Sequence, residues 1–271
     1  MDIPFNLLNI VASFHTKPRM KLLDWIPEDK LKWDWLSFNP NAIHMLEIVL
    51  QHDPKKINWD VLSYNPNAIH MLEANPKKIN WNYLSMNPNA LHMLEANPIK
   101  INWTFLSENP NALHMLETQP EKINWECLSL NPSALHMLEA NPMKIIWRYL
   151  SLNPNAIHLL EANPEKINWK YLSNNPNALH MLEANPEKID WAWLSSNPNA
   201  IHILEANSYR IDWERLSRNL NAVHLLEIVL QHDPKKINWF GLSENPSIFE
   251  IDTKQTQIYI RKKAKDTYDY L

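Results

Sequence analysis

INWTFLSENPNALHMLETQPEK, residues 101–122, decides the fold, because the chain repeats this phrase ten times with small changes. Its tryptophan, Trp103, has counterparts at Trp33, Trp59, Trp81, Trp125, Trp147, Trp169, Trp191, Trp213 and Trp239. Successive tryptophans are 22 residues apart, except for the first and last intervals, which are 26. All ten copies open with Trp-x-x-Leu-Ser, and nine continue into a variant of Asn-Pro-Asn-Ala-Ile/Leu-His-Met-Leu-Glu. Self-similarity at a fixed short period is the mark of a repeat architecture.

Each unit parses into two short helices. Asn102, or Asp190 in a later copy, precedes the tryptophan and is placed to accept from the free amides of a first turn. Helix A is then expected over about residues 103–108, with Trp103 and Leu106 on one face. Asn109-Pro110 ends it, since a residue before proline avoids α geometry, and it opens helix B over about 110–117. Leu113 and Leu116 form the apolar stripe of helix B, with Ala112 and Met115 beside it. Helices this short do not survive alone and must stack on neighbours. The expected fold is therefore all-α: an α-solenoid of ten two-helix repeats, with N- and C-terminal caps. Stacked at ~8–10 Å per layer, it is expected to run as a rod or superhelix ~80–90 Å long.

The expected division is an N-terminal helical cap (1–30), the repeat solenoid (31–247) and a C-terminal helical cap or tail (248–271). Residues 248–271 read as an amphipathic helix with a basic centre at Arg261, Lys262, Lys263 and Lys265. The two 26-residue units share one insertion, Glu-Ile-Val-Leu-Gln-His-Asp-Pro at Glu47 and at Glu227. Four extra residues are about one α turn, and these longer copies are expected to help close the ends of the core.

Composition narrows the function. A single glycine, Gly241, leaves no glycine-rich phosphate loop. The net charge of −4 argues against a general grip on nucleic acid. One cysteine, Cys127, permits no intrachain disulfide. No apolar run approaches a membrane span, and Asp2 is misplaced for a signal peptide. A cytoplasmic location is expected, without membrane partners or cofactors.

The wording INWxxLSxNPNAIHMLEANPxK, with Leu22-Leu-Asp-Trp-Ile26 before it, resembles tandem repeats of giant nucleocytoplasmic DNA viruses. The resemblance covers most of the chain. It implies a viral origin, in host cytoplasm or virion, and a repeat fold. It transfers no catalytic residue.

Histidine recurs in phase from His44 to His224, each followed three residues later by Glu. Such pairs share a helix face, but successive rows ~9–10 Å apart are too far to hold one metal ion between them. A repeated hydrogen bond between layers is the expectation, with no metal site. Each Glu is followed in the linker by a cation, Lys56 through Lys236, which suggests a Glu–Lys ladder or Glu accepting the amides of the next helix. The repeated serines read as hydroxyls closing helix A. Nine equivalent Ser-His sets are not one preorganised active site, so no enzyme is expected.

Three slots vary while the frame stays fixed. The second residue after Trp reads Trp35, Val61, Tyr83, Phe105, Cys127, Tyr149, Tyr171, Trp193, Arg215, Gly241. The residue after Ser reads Phe38, Tyr64, Met86, Glu108, Leu130, Leu152, Asn174, Ser196, Arg218, Glu244. The residue directly after Trp is mostly polar, from Asp34 and Asp60 to Phe240. Solenoids read partners along such faces, and aromatic rows suit protein interfaces. Trp35, Tyr83, Phe105, Tyr149, Tyr171, Trp193 and Arg215 are the candidate partner-binding face; plain packing between helices A is the plainer account of the same row. The expected function is a non-enzymatic scaffold that binds a protein partner. The alternatives are single-stranded nucleic-acid binding by base stacking, or a structural virion component.

Overall fold

The computed structural model describes residues 18–269, with side chains to residue 265. Residues 29–246 form one compact unit, and the two terminal segments form a second. The first is the all-α solenoid. We number its repeats 1 to 10 from Trp33 to Trp239.

Repeat 4 shows how the sequence folds. Helix A is a single turn, Trp103–Leu106, and Asn102 caps it as expected, its side chain accepting from the Phe105 amide at 3.2 Å. Helix A stops two residues short of the expected end. Asn109 is not the cap of helix B. Its Oδ1 accepts from the Asn111 amide at 3.0 Å, which closes an Asx turn. Helix B starts later, at Leu113–Glu117. A short 3-10 turn, Pro120–Lys122, then leads to repeat 5. This third helical piece recurs in the linker after each of repeats 1 to 9.

The core lies between helices A and B. Leu106, Ala112 and Leu116 and their counterparts are fully buried in nearly every repeat. Two polar residues are buried with them, the Ser and Asn of Ser-x-Asn, in all ten repeats. Burial of a polar side chain is costly unless it is hydrogen-bonded. Here both are fully used, and both tie one repeat to the next. Ser107 Oγ donates to Trp103 O at 2.8 Å and accepts from the Asn124 amide of repeat 5 at 3.0 Å. Asn131 Nδ2 reaches back to Ser107 O and Asn109 O, both at 3.0 Å. The serine therefore closes helix A, as expected, and also receives the following repeat.

The same bonds join the last repeat to the first. Asn39 Nδ2 donates to Ser243 O at 3.0 Å and to Asn245 O at 2.9 Å. The Lys32 amide donates to Ser243 Oγ at 2.9 Å, as the amide before each tryptophan does elsewhere. Asn41 Nδ2 donates to Pro246 O at 2.9 Å, the counterpart of Asn67 to Pro40 O. Helix A of repeat 1 (Trp33–Leu36) packs on helix A of repeat 10 (Trp239–Glu244). The expected rod is thus a closed ring. Each interface turns the chain by a small angle, and after ten of them the end meets the beginning. Repeat periodicity predicts stacking but carries no reading of that angle. Ten layers at ~8–10 Å then make a circumference, with the helix A axes on a circle roughly 25–32 Å across.

In a closed ring the inner circumference is the shorter one, so the inner elements crowd. Helix A packs on helix A of the next repeat in pairs such as repeats 3–4 and 5–6, whereas no two helices B approach as closely among the described residues. Helix A is therefore the inner wall and helix B the outer one.

The outer wall is bridged by longer side chains. In repeats 1 to 8 the Glu of helix B meets the histidine of the next repeat, as in His92 Nε2–Glu73 Oε1 at 2.9 Å and His180–Glu161 at 2.8 Å. Eight such pairs run from Glu47–His70 to Glu205–His224. This is the expected hydrogen bond between layers. The expected Glu–Lys ladder is absent among the described residues. Seven of the nine linker cations lie instead over the tryptophan of their own repeat, as in Lys122 Nζ 4.4 Å from the Trp103 ring and Lys188 4.3 Å from Trp169. Exposed cation–ring contacts contribute about 0.5–1 kcal/mol each.

Repeat 10 lacks helix B. The chain leaves it through strand β2, Phe249–Ile251. The two extended helices B, Ile43–His52 and Val223–His232, belong to repeats 1 and 9, on either side of that gap. Their extra turns are split: Val49, Leu50, Val229 and Leu230 are half-buried, and Ile48 and Ile228 are exposed.

In the terminal unit, Met20–Leu22 is strand β1, not the expected helix, and pairs antiparallel with β2, Leu22 opposite Phe249. A partner strand rich in apolar side chains decides the outcome over local preference. Lys21 Nζ meets Glu250 at 2.8 Å, and the Arg19 guanidinium lies over the Tyr259 ring at 4.1 Å. The C-terminal helix, Thr253–Asp269, carries the basic cluster on exposed positions. The helix expected within residues 1–17 lies outside the described residues.

Candidate functional site

On helix A, Leu and Ser at the fourth and fifth positions point to the core. The third and sixth positions lie on the opposite side, one turn apart. These are two of the three variable slots, so the variable residues line the inner wall in two tiers. A side chain opposite the core is ordinarily exposed. Here nearly all are half-buried, because a concave wall turns neighbouring side chains toward one another. The second position, from Asp34 to Glu214, is exposed almost throughout.

The upper tier holds the predicted face. Tyr149 and Tyr171 meet edge to face at 6.0 Å, and Tyr171 and Trp193 lie 5.0 Å apart. Arg215 stacks over Trp193 at 4.7 Å. Repeats 6 to 9 thus present one continuous run of rings ending in a guanidinium. Tyr83 and Phe105 lie parallel at 6.5 Å in repeats 3 and 4. Trp35 is set apart from both runs. It meets Phe240 across the seam at 6.4 Å and lines a shallow groove of about 490 Å³ with Glu214, Arg218 and Lys236. The seven residues therefore fall into two runs and one seam residue. The rings also pack on one another, so the plainer account of the row holds in part.

The lower tier divides the wall chemically. Phe38 and Tyr64 stack at 4.7 Å and nearly parallel, and Met86, Leu130 and Leu152 continue an apolar arc. Asn174, Ser196, Arg218 and Glu244 make a polar arc, closed by an Arg218–Glu244 ion pair at 2.9 Å. Glu108 interrupts the apolar arc. Burial pushes its carboxyl above the ordinary carboxylate range. Burial, and secondarily the Glu108 charge, raises the Tyr64 hydroxyl. Tyr64 and Glu108 belong to repeats 2 and 4, so their coupling skips a repeat, as convergence on a concave wall requires.

In the sequence Glu108 is one variable residue among the ten of its slot. Its signal was there: it is the one acid of its tier flanked on both sides by apolar residues. Cys127 lies beside it. Burial pushes that thiol up to about 11, with Glu108 and Glu126 adding, so it is protonated at neutral pH and a poor nucleophile. Among the described residues no group of three His, Cys, Asp or Glu is placed to hold a metal ion. No helix among them is long and apolar enough to cross a membrane.

The raised Glu108 carboxyl has a stability consequence. A carboxyl that binds its proton more tightly folded than unfolded contributes favourably at low pH and loses that contribution as pH rises through the folded value. Glu108→Gln is therefore expected to raise the thermal midpoint at pH 7 by roughly 1–2 °C. The gain should vanish below about pH 4, where the unfolded carboxyl is protonated too. Melting curves of both proteins across that range check this; a midpoint lowered at pH 7 contradicts it.

Comparison with known proteins finds no relative: no protein-family model, no curated protein and no solved structure matches the chain.

Proposed function

We propose that the protein is a non-enzymatic binding ring that holds a protein partner against its inner wall. The observation that carries this reading is the placement of variation. The frame residues of every repeat are spent on the core and the interfaces, and two of the three slots that differ from repeat to repeat lie on the side of helix A turned away from that core. A wall built only to close the ring has no need of seven kinds of side chain in one tier and eight in the other. Its aromatic content suits a protein interface, where Tyr, Trp and Arg supply most of the binding energy.

The bore limits the partner. Subtracting helix thickness from the circle of helix A axes leaves roughly 15–20 Å. That admits an extended segment or a single helix of the partner, not a folded domain. Nucleic acid is less well served. Arg148 and Arg218 are paired with Glu126 and Glu244, Arg215 lies on Trp193, and Glu108 opposes phosphate. The wording of the repeat supports a viral source, so host-cell lysate is the medium for the test.

The test is capture from that lysate by tagged protein, with and without nuclease. Tyr149→Ala, Tyr171→Ala and Trp193→Ala in one chain should leave the helical spectrum intact. Recovery of a stoichiometric, nuclease-resistant protein partner should fall at least tenfold. Capture unchanged by the triple variant, or lost on nuclease treatment, refutes the reading.

A further inference from the structure

We infer that the apolar arc of the inner wall recognises a cationic side chain, Arg or Lys, on an otherwise apolar segment of the partner, and that Glu108 is the residue that selects it. This rests on the proposed binding role of the wall and names the chemistry of what the wall takes.

The ring contains its own control. Two acids occupy the lower tier, Glu108 in repeat 4 and Glu244 in repeat 10. Glu244 is satisfied from the preceding repeat: Arg218, in the same tier of repeat 9, donates to it at 2.9 Å. The residue standing before Glu108 in the same way is Met86, which has no proton to give. No side chain among the described residues hydrogen-bonds or ion-pairs with the Glu108 carboxylate. Tyr64 and Cys127 lie close enough to feel its charge, Phe105 shares its helix face one turn earlier, and Met86 and Leu130 hold the same slot in the adjoining repeats.

A half-buried carboxylate in apolar surroundings, without a partner, is a cost to the fold. The same slot elsewhere shows that the frame can provide a guanidinium to satisfy it. Repeat 4 leaves that place to be filled from outside. The neighbouring rings suit the same guest, because a guanidinium or ammonium is attracted both to a carboxylate and to aromatic faces. An anion or a second acid is repelled. The stacked Phe38–Tyr64 pair and the aliphatic residues beyond take the apolar residues on either side of the cation.

The test uses the full-length protein and a phage-displayed library of short random peptides. Selection is run on wild type, Glu108→Gln, Met86→Arg and the Tyr149→Ala/Tyr171→Ala/Trp193→Ala variant, each checked for an unchanged helical spectrum. Met86→Arg builds the internal pair that repeats 9 and 10 already have, and so occupies Glu108 from within. Wild type should enrich peptides with one Arg or Lys among apolar residues. Both Glu108→Gln and Met86→Arg should lose that enrichment. A selected peptide, measured by fluorescence anisotropy, should bind each of them at least tenfold more weakly than wild type.

Three results overturn the inference. One is enrichment by wild type of peptides without a cation. Another is an Arg or Lys preference that survives Glu108→Gln. The last is no enrichment at all. Cation-free peptides lost only in the aromatic variant would leave the wall a protein-binding surface and remove the role of Glu108. No enrichment, together with no capture from lysate, would remove both.

Discussion

Asn39→Ala is expected to lower the thermal midpoint by roughly 6–12 °C, as much as Asn131→Ala in the middle of the chain. Asn39 is buried and donates to two buried carbonyls, Ser243 O and Asn245 O, while its own oxygen accepts from the Asn41 amide. Asn131 does the same with Ser107 O, Asn109 O and the Ser133 amide. Alanine leaves three backbone groups unpaired, and each buried group so orphaned costs about 1–3 kcal/mol. The comparison is informative because the two residues differ only in what they join. Asn131 joins consecutive repeats. Asn39 joins the first to the last. In an open array its amide would face water at a free end, and its removal would cost almost nothing. Equal midpoints for the two variants are what a ring requires; a silent Asn39→Ala refutes closure.

Leu150→Ala should cost about 4–5 kcal/mol, the upper part of the usual range for emptying a buried leucine site. Leu150 is fully buried on helix A of repeat 6. The cost of such a change depends on how far the surroundings collapse into the space left behind. Helix A is held at its start by the Ser129 hydroxyl, which accepts from the Ile146 amide. It is held at its end by Asn153, bonded to Ser129 O and Asn131 O. Repeats on both sides are gripped the same way, with no loose end to take up movement. The midpoint should fall by roughly 8–20 °C, while Met143→Ala, on a side chain 94% exposed, should leave it unchanged. A loss below about 2 kcal/mol for Leu150→Ala would mean that the ring relaxes as freely as an open stack.

The repeat boundaries, the two-helix unit, the cap at Asn102 and the apolar frame were all legible in the sequence. Each depends on residues near one another in the chain. The Ser-x-Asn clasp was not, although Asn39 and its counterparts occur in all ten units. Asn-Pro has a sufficient local meaning as helix punctuation, and that meaning hid the second one. Closure was illegible because the tenth of a turn made at each interface is set by packing, and the 22-residue period is the same for a rod and a ring. The outer ladder was half legible: His and Glu were expected to bond between layers, but the linker cations went to tryptophan rather than Glu. For the candidate face, the sequence marked which residues vary. It did not show that they look inward, and so Glu108 did not stand out as an acid without a partner.

Tandem copies of nearly identical sequence are gained and lost in whole units when a gene is copied. For a linear array such a change makes the molecule longer or shorter and leaves every remaining interface as it was. A circle has no such freedom. One copy more or fewer alters the turn required at every joint, and the seam between repeats 10 and 1 registers the accumulated error. The joining geometry of this protein therefore acts as a count on its own gene, and the number ten is fixed by the fold in a way that the length of an open repeat protein is not.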